Sequence, residues 1–233
     1  MNAAPASQTL SRGLIILELL SERAPLSIDE IAAGLDVHRS VAYRLVRTLE
    51  HHRLVIRDTA GLCVLGPQMT VLAAGVNRDL QSVAAAEVNA LAHELELTCF
   101  FGMLDGGDFV TLVSAAPRIA GATLAQRPGS RHPITVGAPS KAVLAGMPDA
   151  AWPVDVQDAL LTDVQLARER GWAESHDEVI PTVTSLAVSL PVVGGVRSAL
   201  AVLAMQTLPR PEEIAQRLHE SSQRIAAQLG TGH

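Results

Sequence analysis

Residues 27–49, SIDEIAAGLDVHRSVAYRLVRTL, constrain the fold most, because they predict two short helices joined by a tight turn. Ser27 and Glu30 form a capping box, in which the serine oxygen accepts from a free backbone N–H and Glu30 accepts from the serine's own N–H. Gly34 is placed to let the chain leave the first helix in a left-handed conformation. Apolar residues recur at helical spacing in both segments: Ile28, Ile31, Ala32, Leu35, Val41, Leu45, Val46 and Leu49.

The other face of the second helix carries hydrogen-bond donors and cations, namely Arg39, Ser40, Tyr43, Arg44 and Arg47. A basic, hydroxyl-rich second helix is how a helix-turn-helix reads DNA, although a solvated helical bundle can present a similar face. Residues 14–20 predict a helix upstream, and residues 54–57 and 62–65 predict a hairpin downstream. Three helices followed by a hairpin describe a winged helix-turn-helix.

Local charge agrees with DNA binding although the whole chain has a formal net charge of -6. Residues 37–57 hold five arginines against one carboxylate, Glu50. We expect Ser40, Tyr43 and Arg44 to lie near base edges. The guanidinium of Arg44 matches the two acceptors of guanine. We expect Arg39, Arg47 and Arg57 to hold phosphates.

The remaining chain predicts a linker helix and a second domain, with boundaries at 1–66, 67–82 and 83–233. The linker has an apolar stripe that needs a partner, either its own domain or a second subunit: Met69, Leu72, Ala73, Val76 and Leu80.

From residue 97 the pattern changes to strands and helices in mixed order. Strands are predicted at 99–104 and 109–114 around an Asp-Gly-Gly-Asp turn, and also at 122–125, 186–190 and 200–205. Helices are predicted at 140–145, 154–170 and 211–229. This order predicts an α/β (α+β) domain of the GAF or PAS kind, with helices on one side of the sheet.

Composition excludes several classes of protein. The chain is 48% hydrophobic and 18% charged, which is typical of a globular protein. No segment approaches the roughly 20 apolar residues that span a bilayer, and the apolar run at 14–20 is too short and too acidic for a signal peptide. Cys63 and Cys99 are expected to be buried free thiols in a cytoplasmic protein. His132 and His176 lack metal-ligand spacing, so we expect no metal and no cofactor.

Several segments together resemble the IclR family of bacterial transcriptional regulators. Residues 11–20, SRGLIILELL, look like the family's opening helix, and residues 39–50 are similar to its recognition helix. Residues 62–67 match the end of its wing, and residues 133–145 resemble its effector loop. A later motif runs over Arg170-Gly171-Trp172-Ala173, Glu178 and Ser185-Leu186-Ala187. The resemblance covers nearly the whole chain in the family's order.

The resemblance implies a regulator that binds double-stranded operator DNA, responds to a small-molecule effector, and forms a homodimer or homotetramer. It places the effector site at Gly137, Ala138, Ser140, Ser175, Ser185, Ala201 and Leu203. Met103 and Trp172 could also line the site, although core packing is the default for both. The family's loop amide, carboxylate, thiol and hydroxyls are replaced here by Pro139, serines and apolar residues. We therefore expect the effector to be an organic acid or a more apolar, bulkier or aromatic metabolite, or the response to be very weak.

Two other functions stay open at this point. An enzyme with a fused DNA-binding domain is disfavoured, because the chain has no G-x-S-x-G, no H-E-x-x-H and no phosphate-binding glycine loop. A second domain that serves only as an oligomerisation scaffold is favoured by the apolar residues Ala201 and Leu203. For Lys141, the only lysine, we expect a structural role rather than an anion contact.

Overall fold

The computed structural model describes residues 7–73, 78–117, 124, 126–192, 195–205 and 207–230. It divides into two compact units, Met1–Asn77 and Arg78–His233. Within the described ranges, no helix is both long and apolar enough to cross a membrane.

The first unit is a winged helix-turn-helix, as the sequence predicts. Its elements are α1 (Gln8–Arg23), α2 (Ile28–Gly34), α3 (Arg39–His51), β1 (Val55–Arg57), β2 (Cys63–Leu65) and α4 (Gln68–Ala73). The two strands pair antiparallel, with Val55 opposite Leu65. The apolar faces of the helices and the hairpin meet in one core that includes Ile16, Leu20, Ile31, Val46, Val55 and Cys63.

The turn between α2 and α3 confirms one local prediction and corrects another. The capping box is present, since the Glu30 N–H donates to Ser27 Oγ and the Ser27 N–H donates to Glu30 Oε2. The left-handed residue is Asp36, with φ 50°, and not Gly34, which lies inside α2. A β-carbon on Gly34 would lie 2.8 Å from Leu19 Cδ1, so this position is small because α1 packs closely against it.

The second unit is a six-stranded sheet with helices. In chain order the elements are α5 (Arg78–Leu95), β3 (Thr98–Asp105), β4 (Asp108–Ala115), β5 (Arg131–Pro133), α6 (Ala138–Ala145), a 3₁₀ turn (Asp149–Ala151), α7 (Asp158–Arg170), β6 (Ala173–His176), β7 (Val183–Ser189), β8 (Ser198–Met205) and α8 (Pro211–Gly230). The sheet order is β5-β4-β3-β8-β7-β6, with every pair antiparallel. The predicted mixed α/β class is confirmed.

Helices cover both faces of this sheet, which corrects the expectation of helices on one side. Alternate residues of β8 enter different cores: Leu200 and Val202 pack with α5 and α8, whereas Ala201 and Leu203 pack with α6 and α7. The central strands are apolar on consecutive residues, so both faces must be buried. The short polar strands β5 and β6 were not predicted. Of the predicted strand at 122–125, only Leu124 lies within the described residues.

The predicted linker at 67–82 falls on α4 and on the first turns of α5. Residues 74–77, and with them Val76 of the predicted stripe, lie outside the described residues. Of the other stripe residues, Met69 and Leu80 are partly buried, whereas Leu72 and Ala73 are exposed.

Candidate functional site

The polar face of α3 is a continuous exposed surface. The five residues predicted from its sequence, Arg39, Ser40, Tyr43, Arg44 and Arg47, are all exposed. Ala42, Val46 and Leu49 of the same helix are buried in the core of the first unit. The amphipathic spacing therefore fixes which side of α3 meets solvent.

Most of the basic groups on this surface have acidic partners. Arg39 forms an ion pair with Asp29, in which both side chains are 64% exposed. Arg57, on β1, donates from Nε to Glu50 Oε1 over 2.8 Å, and this hydrogen bond raises the pKa of the Arg57 guanidinium. Arg47 lies 3.9 Å from the same carboxylate. These partners hold three of the four cations close to the protein surface.

Arg44 differs from these three arginines. Within the described part of the chain, its guanidinium has no ion pair or hydrogen bond. Ser40 Oγ lies 2.9 Å from His38 Nδ1 at the start of the helix, and the Tyr43 ring lies 5.9 Å from the Arg57 guanidinium carbon. Arg44 is therefore exposed, charged and free to contact an external group.

The second unit contains a small cavity of about 30 Å³ between the sheet, the start of α6 and the turn after β6. Its apolar lining is Phe100, Pro139, Val179, Ile180, Val183 and Leu203. Its polar lining is Gln126, His132, Gly137, Ser175, Glu178 and Ser185. Four of the nine residues predicted for an effector site therefore lie here: Gly137, Ser175, Ser185 and Leu203.

The other five predicted residues do not line this cavity. Ala138 and Ser140 are buried in the first turn of α6, and Ala201 is buried in the adjoining core. Met103 lies partly buried on β3. Trp172 belongs to the core on the opposite face of the sheet, where the Arg170 guanidinium carbon lies 3.6 Å from its ring centroid.

Two backbone amides at the start of α6, those of Gly137 and Ala138, are already occupied by side chains. The Gly137 N–H donates to Glu178 Oε2 over 2.8 Å, and the Ala138 N–H donates to Ser175 Oγ over 2.9 Å. Lys141, whose side chain is 5% exposed, forms ion pairs with Asp163 over 2.6 Å and with Glu178. Lys141 thus joins α6 to α7 and to the turn after β6, as a structural residue would.

Sequence reasoning considered His132 only as a metal ligand and missed its buried position in the cavity lining. His132 is the inward-facing residue of β5 and is 8% exposed, and its Nε2 is buried with no hydrogen-bond partner among the described residues. Its ring lies 5.4 Å from that of Phe109. Burial lowers the pKa of His132, although Asp108 partly opposes this, so burial favours the neutral form of the ring.

Among the residues described, no group of three His, Cys, Asp or Glu side chains could hold a metal ion. The predicted site residues come together on two surfaces, the polar face of α3 and the cavity beside α6.

Known proteins similar to this chain are transcriptional regulators. The model of the IclR helix-turn-helix domain matches residues 9–59. The probable transcriptional regulator SauR of Cupriavidus necator is 28% identical over 215 residues, which is 84% of each protein.

Solved structures give the same fold. The IclR transcriptional regulator from Alicyclobacillus acidocaldarius is 25% identical, with a TM-score of 0.83 over 97% of this chain and 100% of that one. An IclR homologue from Microbacterium hydrocarbonoxydans, solved in complex with 4-hydroxybenzoate, is 20% identical with the same TM-score and the same coverage. The matching domain, the regulator relative and the shared fold agree with the exposed basic helix: residues 9–59 match an IclR helix-turn-helix domain, and the chain as a whole is similar to IclR-type transcriptional regulators.

Proposed function

We propose that the chain regulates transcription by placing α3 in the major groove of operator DNA, and that a small molecule in the cavity beside α6 controls this binding. The observation that carries the first part is the guanidinium of Arg44, which has no partner among the described residues and lies on an exposed basic helix face. Arg44 reads a base, most simply a guanine, with Ser40 and Tyr43 beside it.

Arg39, Arg47 and Arg57 hold phosphates in this proposal. Arg39 and Arg57 exchange their carboxylate partners, Asp29 and Glu50, for the DNA backbone. This exchange has a low energetic cost for Arg39, since an exposed ion pair contributes little to stability. The local excess of arginine also predicts binding that weakens steeply as salt increases.

A selection from a random duplex library tests the DNA proposal. We expect the purified chain to enrich one sequence and to bind it at least about 1,000-fold more tightly than random duplex. The double variant Arg44→Ala/Arg47→Ala should lose this enrichment. Arg210→Ala, which removes an exposed arginine of the second unit, is the matched control and should retain it. If the unmodified chain enriched no preferred sequence, the result would contradict the proposal.

The effector proposal rests on the lining of the cavity, whose exposed area is mostly apolar although half of the lining residues are polar, as in typical small-molecule sites. A volume of about 30 Å³ has room for only a few waters. An effector therefore enters when the turn carrying Val179 and Ile180 moves away. The homologue that binds 4-hydroxybenzoate indicates the size of compound to try first.

Thermal unfolding against a panel of aromatic and small organic compounds tests the effector proposal. A ligand at about 100 times its Kd should add about 2.7 kcal/mol to the free energy of unfolding. The same ligand should change the affinity for the selected DNA.

The small volume of this cavity favours a second candidate, in which the second unit only assembles subunits. If no compound of the panel shifted the Tm and DNA binding were intact, the result would support a second unit that acts only as a scaffold.

We also propose that the chain acts in the cytoplasm as a homodimer or homotetramer. Symmetric proteins match the repeated half-sites of operators. Several large apolar side chains of the first unit are exposed in the single chain, and a second subunit would cover them: Leu10, Leu14, Val71 and Leu72. Light scattering of the purified protein should give a mass of two or four chains.

A further inference from the structure

We propose that Glu178 fills the anion position of its own cavity, so that the cavity accepts an uncharged ligand that hydrogen-bonds to His132 Nε2. This inference rests on the proposed effector site and names the chemical class of its ligand. The exposed N–H groups at the start of a helix normally attract a carboxylate from a ligand. In this chain the carboxylate comes from residue 178.

The first observation behind this inference is that Glu178 already occupies the backbone amide of Gly137. Glu178 Oε2 accepts from the Gly137 N–H over 2.8 Å, while its other oxygen pairs with Lys141. Residue 139 is a proline and has no N–H to offer. A ligand carboxylate in this place would lose the hydrogen bond that Glu178 already makes, and it would lie beside a like charge.

The second, independent observation is the buried Nε2 of His132. Its Nε2 is buried, it lines the cavity, and it would lie 3.1 Å from a β-carbon built on Gly137. A buried polar atom without a partner is costly, so this nitrogen indicates that something binds there. A neutral imidazole can donate to or accept from an uncharged group such as an amide or a hydroxyl.

The other polar side chains of the lining already have partners. Gln126 Nε2 donates to Thr111 Oγ1 over 2.8 Å, and Ser185 Oγ donates to the Val202 carbonyl over 3.0 Å. Ser175 Oγ accepts from the Ala138 N–H. Among the residues that the structure describes, the lining thus combines an apolar surface with an unsatisfied hydrogen-bonding group at His132. A mainly apolar molecule with one uncharged polar group fits this arrangement.

Calorimetric titration of the full chain with matched pairs of ligands tests the inference. The pairs are 4-hydroxybenzamide against 4-hydroxybenzoate, and propionamide against propionate. We expect at least one amide to bind about tenfold or more tightly than its acid, because of the like charge of Glu178. His132→Phe should weaken binding of that amide.

Variants at two positions distinguish the carboxylate of Glu178, which accepts from the loop amide, from that of Asp163, which does not. Glu178→Ala should raise the affinity for the acid about tenfold or more, since it frees the Gly137 N–H and removes the like charge. Glu178→Gln should raise it less, because it removes the charge but keeps an acceptor. Asp163→Asn is the matched control: it removes the other carboxylate on Lys141 without touching the loop, and it should leave the preference for the amide unchanged.

Each outcome is decisive. An acid that binds the unmodified chain as tightly as its amide would overturn the inference while supporting the proposed cavity. Binding of neither member of either pair would overturn both. The comparison on the unmodified chain needs no variant, so it decides the question even where Glu178→Ala does not fold.

Discussion

Replacement of Lys141 by methionine tests whether the ion pairs at α6 hold the second unit together. The Lys141 side chain is 5% exposed, whereas Glu178 and Asp163 are 27% and 48% exposed. Loss of one partner of a fully buried ion pair costs about 3–5 kcal/mol. Because both carboxylates can regain water, we expect a smaller loss, about 2–3 kcal/mol. This corresponds to a Tm lower by about 5–10 °C for a unit of this size.

Tryptophan fluorescence isolates the relevant transition, since both tryptophans, Trp152 and Trp172, belong to the second unit. Thermal unfolding followed by tryptophan fluorescence should show the predicted decrease in Tm for Lys141→Met. Arg210→Met, which removes the cation of an ion pair whose side chains are 77% and 64% exposed, should show no measurable change. Equal stability of Lys141→Met and the unmodified chain would refute the reasoning.

Three further predictions concern stability and thiol reactivity. Ser27→Ala should lower the free energy of unfolding of the first unit by about 1 kcal/mol, measured by chemical denaturation, whereas Ser27→Thr should retain most of the cap. Gly66→Ala should destabilise the same unit in a circular-dichroism melt, because its β-carbon would lie 2.2 Å from the Arg53 carbonyl oxygen; an unchanged melt would mean that the wing relaxes freely. Cys99 should resist thiol reagents at pH 8 until the chain unfolds, since burial raises the pKa of its thiol to about 12; rapid native labelling of this residue would contradict its burial.

Local signals in the sequence were sufficient for the DNA-binding unit. The capping box at Ser27 depends on residues three positions apart, and the exposed face of α3 follows from helical periodicity alone. The one local error, at Gly34, arose because a small residue has two possible uses. A glycine can permit a left-handed turn or make room for a neighbouring helix. At Gly34 it makes room, because Leu19 of α1 packs against this position.

The cavity could be predicted only in part. Gly137, Ser175, Ser185 and Leu203 were identified through the family resemblance, and the structure brings them together. Two contacts could not be read from periodicity or spacing. The Gly137 N–H reaches Glu178 across 41 positions of the chain, and His132 lies on a three-residue strand with little pattern of its own.

The most direct test of DNA recognition compares Arg44→Ala with Arg47→Ala on the selected operator and on its single-base variants. We expect Arg44→Ala to lose about 1–3 kcal/mol of binding free energy and to relax the preference at one base pair. Arg47→Ala should weaken binding to all sequences about equally and reduce the salt slope by about one. If Arg44→Ala weakened binding to all sequences equally, Arg44 would be reassigned from a base contact to a phosphate contact. Unchanged binding by both variants would contradict the assignment of α3 as the recognition helix.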